Sequence, residues 1–93
     1  MNRIIRDRWI AALRSGEYQQ GRELLRTKDG TFCCLGVLCV VENEDIGPDR
    51  GYLDDEFRQA IDLSSEQESI LIDMNDKDHR TFGEIADYIE GAM

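Results

Sequence analysis

One stretch narrows the choice of fold more than any other: the unbroken apolar run from Cys33 to Val41, nine residues with a single glycine, Gly36, inside it. It falls far short of the roughly 20 residues a membrane-spanning helix needs. With no polar face, such a run reads as a buried strand or a buried helix, and periodicity alone does not separate the two. Leu35, Leu38, Cys39 and Glu42 suit one helical face. A short hairpin elsewhere in the chain would also need a cover. The expectation is therefore a helix over Cys34 to Asn43.

The elements around this run follow from period and punctuation. Ile5, Trp9 and Leu13, with Ala12 beside them, form one apolar stripe, predicting a helix from Arg3 to Arg14 that Ser15-Gly16 stops. Glu17 to Gly21 reads as a polar connector. Asp29-Gly30 lies between two short semi-apolar runs, Glu23 to Thr27 and Thr31 to Cys33, and that pattern predicts a β-hairpin. Asp45 to Gly51 is a loop set by Gly47, Pro48 and Gly51. A short helix is expected over Asp54 to Ala60. Ser64 with Gln67, and Thr81 with Glu84, are capping boxes. They open a helix with Ile70, Leu71 and Met74 inward, and a last helix with Phe82, Ile85, Ala86 and Ile89 inward. Asn75 to Arg80 is read as the turn between them. The 93 residues make one domain, 1–93. The fold expected is α+β: a small single domain of four to five helices packed around one short β-hairpin.

Catalytic signatures are missing where chemistry would need them. Cys33, Cys34 and Cys39 are odd in number and packed into seven residues, unlike a disulfide framework. Free thiols fit a reducing cytoplasm. A structural zinc site needs four soft ligands, and the only other candidate is His79, some 40 residues away. The cysteines read as small buried hydrophobes. A thiol nucleophile would need a base in reach, and only His79 qualifies. Asn75 to Asp78 lacks the EF-hand pattern, and no Gly-rich phosphate loop, G-x-S-x-G or H-E-x-x-H occurs. No enzyme activity, metal or cofactor is expected. No signal-peptide h-region follows Met1-Asn2-Arg3 either.

Charge points to binding instead. The net charge is −9, made of +3 over residues 1–35 and −12 over residues 36–93. The acidic balance argues against nucleic acid as a partner. Leu63 to Glu90 has the rhythm of a helix-turn-helix, but the last helix carries Glu84, Asp87 and Glu90 where a DNA reader needs basic and amide groups. The basic third interleaves cations with rings and amides, a combination suited to a nucleotide-type anion. The candidate ligand-binding residues are Trp9, Arg14, Tyr18, Gln20, Arg22 and Arg26, in a stretch that also holds Lys28. The competing reading makes Trp9 core and the arginines surface charges.

Three stretches carry a resemblance: Trp9-Ile10-Ala11-Ala12-Leu13-Arg14-Ser15-Gly16-Glu17-Tyr18, Phe32-Cys33-Cys34-Leu35-Gly36-Val37-Leu38-Cys39, and Met74-Asn75-Asp76 followed by Phe82-Gly83-Glu84-Ile85-Ala86-Asp87-Tyr88-Ile89-Glu90. Together they resemble a family of small proteins of tailed bacteriophages. Val40 departs from it, standing where an acidic residue is expected. The resemblance implies a phage protein acting in the host bacterial cytoplasm, and no mechanism. The leading expectation is a non-enzymatic accessory, counter-defence protein that sequesters a small nucleotide-type signal, with a homodimer to help enclose it. The alternatives are an acidic nucleic-acid mimic that inhibits a host or defence protein, and a helix-turn-helix DNA-binding protein.

Overall fold

A computed structural model describes residues 1–93. Its organising element is the apolar run. Cys34–Val41 is a helix, α2, and all six residues from Cys34 to Cys39 are buried. Around it stand α1 (Arg3–Arg14), α3 (Asp55–Ala60), α4 (Ser65–Asp76) and α5 (Phe82–Ala92). Helix α1 packs against α5 and α2, α2 against α4, and α4 against α5. The four longer helices thus close around one core of nineteen buried residues, and the molecule measures 30 × 27 × 22 Å.

The two capping boxes and the Gly16 stop are where the sequence places them, and the structure adds a cap at Asn2. Asn2 caps α1 by accepting from the Ile5 amide at 3.0 Å. Both capping boxes form with their reciprocal hydrogen bonds, at Ser64 with Gln67 and at Thr81 with Glu84. Gly16, at φ 78°, takes the left-handed conformation that ends α1. The inward stripe of α5 is the expected one. On α4 only Leu71 and Asn75 are buried, and Ile70, expected inside, is 42% exposed.

The expected β-hairpin is absent, which corrects the fold class: the protein is mostly helical, with only two isolated bridges, Gln20 to Phe32 and Arg26 to Phe32. The Asp-Gly signal did produce a turn. The Thr27 amide donates to the Thr31 carbonyl at 2.9 Å, the Gly30 amide to the Thr27 carbonyl at 3.1 Å, and Gly30 sits at φ 81°. The arms do not ladder because their backbone groups are taken elsewhere. The Leu25 amide donates to Arg50, the Phe32 amide to Gln19, and the Gly21 amide to Phe32. Glu23, at φ 74°, breaks the extended path, and Cys33 is already the cap of α2. Residues 15–33 are therefore a long ordered loop laid across the helices.

That loop lies close on α2. A Cβ at Gly36 would collide with the Leu25 carbonyl, so the glycine inside the apolar run is the point where loop and helix backbones meet. No helix of the molecule is long and apolar enough to cross a membrane.

Candidate functional site

The loop is fastened chiefly by Asn75, a fully buried side chain on the last turn of α4. Its Oδ1 accepts from Gln20 Nε2 at 2.8 Å and from the Cys34 amide at 3.2 Å. Its Nδ2 donates to the Gly21 carbonyl at 2.9 Å and to Asp76 Oδ1 at 2.8 Å. One amide thus uses both donors and two acceptor sites, and caps an α2 N-terminus whose Cys33 supplies no side-chain cap. Asp76 Oδ1 also accepts from the Glu23 amide at 3.0 Å, where the backbone is left-handed.

Against this frame the six expected ligand contacts separate. Trp9 is 0% exposed, and its Nε1 donates to the Cys34 carbonyl at 2.9 Å. It ties α1 to α2 and presents no ring to a ligand. Arg14 forks onto Asp87 at 2.7 Å and Glu90 at 3.2 Å, and those carboxylates, Glu90 first, hold its guanidinium more firmly charged. Tyr18 is half-buried, with its ring edge-on to Phe32 at 5.8 Å. Gln20 donates to Asn75 and to the Arg80 carbonyl. Arg22 and Arg26 are the two of the six that face solvent without a carboxylate partner.

This freedom is selective. Acids outnumber Lys and Arg by 20 to 11. Seven of the eleven cations are in ion pairs, and the four that are not are Arg3, Arg22, Arg26 and Lys28. Three of those four lie within the seven residues 22–28. Beside them is an open groove of about 360 Å³ lined by Leu24, Arg26, Thr27, Lys28, Gly30, Pro48 and Asp49. A second groove of about 330 Å³ shares Arg26 and is otherwise lined by Cys39, Val40, Asn43, Glu44, Asp45 and Ile46. Sequence reasoning kept Lys28 out of the site set and missed Thr27, Gly30, Pro48 and Asp49. The Asp-Gly turn was the one local signal that could have drawn attention to the first groove.

The thiols are placed for packing. Burial pushes Cys33 up to about 11 and Cys39 up to about 12, and it pushes Cys34 well above the ordinary value. Cys34 Sγ donates to the Leu71 carbonyl at 3.7 Å. A nucleophilic cysteine needs the opposite shift. His79 is an exposed turn residue at φ 52°. No three His, Cys, Asp or Glu side chains come together as a metal-ligand set.

The architecture is a small helical domain with an ordered loop pinned across its core and an open groove at that loop. Residues 1–49 match a family described as a domain of unknown function (DUF8296). The match takes in more than half of the chain, and the chain belongs to this family. It spans α1, the loop and α2, and every residue lining the first groove. No curated protein and no solved structure matches the chain.

Proposed function

We propose that this protein binds a small phosphate-bearing, nucleotide-type ligand in the groove beside Arg26 and Lys28. One observation carries the reading: in a strongly acidic chain, three of the four cations left without a carboxylate partner sit together on one pinned loop. Guanidinium and ammonium groups free of internal partners keep their donors for an incoming anion. A Debye length of roughly 8 Å lets a local basic patch act despite the net negative charge. The hydrogen bonds to Asn75, Asp76 and Arg50 fix the loop in advance, which lowers the ordering cost of binding. The groove volume lies at the small end of the roughly 300–1,000 Å³ typical of ligand sites.

The same bookkeeping weighs against the alternatives. Many of the acids that a nucleic-acid mimic would present already serve internal cations: Glu42, Asp54, Asp55, Asp73, Glu84, Asp87 and Glu90 among them. The outer face of α5 carries Glu84, Asp87 and Glu90, the wrong sign for a DNA groove. In the phage setting that the resemblance implies, such a module would serve in the host cytoplasm by sequestering a signal nucleotide.

Calorimetry against mono-, di- and cyclic nucleotides and ADP-ribose tests the reading. Each of R26A and K28A is expected to weaken binding about tenfold or more, as loss of a hydrogen bond to a charged group does. A panel that binds no member, or binding unaffected by both substitutions, would overturn it.

A further inference from the structure

The groove holds a feature that a simple anion site would avoid. Asp49 lines it together with Arg26 and Lys28, yet no ion pair joins its carboxylate to either cation. Asp29, on the same turn as Lys28, is not part of the lining. Asp49 is set in the wall by its backbone: it follows Gly47 and Pro48 and sits at φ 57°, a left-handed conformation that Asp tolerates better than most residues. A bare phosphate would meet attraction from two cations and repulsion from this carboxylate. A ligand that satisfies all three has a phosphate at one end and paired hydroxyl donors at the other, because an ionised carboxylate only accepts and can take two donors side by side.

Resting on the nucleotide reading above, we propose that Asp49 is the specificity-determining residue of this groove, accepting hydrogen bonds from a vicinal sugar diol while Arg26 and Lys28 hold the phosphate. The ligand class is then a ribose phosphate, either free or within a ribonucleotide. Leu24 and Pro48 supply the apolar wall for the sugar's C–H surface.

The test is calorimetry with ADP, 2′,3′-dideoxy-ADP and ribose 5-phosphate on the full chain, in wild type, D49N and D49G. Both replacements accept a positive φ, so the turn is kept. Wild type is expected to favour ADP over the dideoxy form by about tenfold or more. D49N and D49G are expected to weaken ADP while leaving the dideoxy form unchanged or tighter, since the repulsion is gone. Ribose 5-phosphate binding as tightly as ADP supports the diol contact with a free sugar phosphate as ligand; tighter ADP supports it with a nucleotide. If the variants tighten both adenine ligands equally, Asp49 is only a repelling charge and the inference falls. If they weaken both equally, Asp49 is only structural and the inference falls. Wild type binding ADP and dideoxy-ADP with equal affinity removes the diol contact but leaves the phosphate site standing. No binding of any of the three removes both.

Discussion

At the scale of single residues, Asn75 does most to decide where the loop lies. It is the one buried polar side chain of the core, and all four of its hydrogen bonds are made. Removing it strands the Cys34 amide and the Gly21 carbonyl at once, and leaves Gln20 only its bond to the Arg80 carbonyl. Asn75→Ala is therefore expected to cost about 2–4 kcal/mol, read as a lower urea midpoint. An unchanged midpoint would mean that water replaces the amide at no cost. The sequence did not reveal this role. Asn75-Asp76-Lys77-Asp78 has the composition of a turn, and the partners that make Asn75 a hub lie 41 to 55 residues away. For Trp9 the competing core reading is the one that fits its burial. Its position on the apolar stripe pointed to the core, but its indole partner, the Cys34 carbonyl, exists only once α1 crosses α2.

At the scale of elements, local rules worked wherever an element is locally determined. The caps at Asn2, Ser64 and Thr81 and the stop at Gly16 set the helix boundaries, and the Asp-Gly pair made its turn. The hairpin failed because strand pairing is a contest among distant backbone groups, and Arg50 and Gln19 win the amides of Leu25 and Phe32. Helix α2 shows what a short apolar run becomes when helices surround it, and its thiols report that burial. They are expected to resist Ellman's reagent at pH 8 in the native protein and to react, all three, in urea. Their pKa values also set a direction for stability. The folded chain keeps protons on Cys33 and Cys39 up to about 11 and about 12, whereas the unfolded chain releases them near 9. The native state therefore binds more protons above pH 9, and stability is expected to fall from there as pH rises through 11 to 12. A urea midpoint as high at pH 10.5 as at pH 8 would contradict that burial.

At the scale of the whole molecule, the division of charge takes on a definite meaning. The sequence separates a basic first third from an acidic remainder, but folding pairs the two unevenly. Arg8 reaches Glu42, and Arg14 reaches Asp87 and Glu90. The loop cations Arg22, Arg26 and Lys28 reach none. Composition could show an excess of cations in this third; which of them stay free depends on helix packing. Two of the six expected site residues, Arg22 and Arg26, thus remain available to a ligand, and only Arg26 lines the groove.

On the proposed reading, this loop, and no other part of the surface, is an anion site. A ¹⁵N-resolved NMR titration with ADP tests it most directly. Saturable shifts are expected, confined to the amides of residues 24–30 and to Gly47 and Asp49, and weakening as salt is raised. Shifts absent at saturating ligand, or spread equally over the outer faces of α1 and α5, would contradict it.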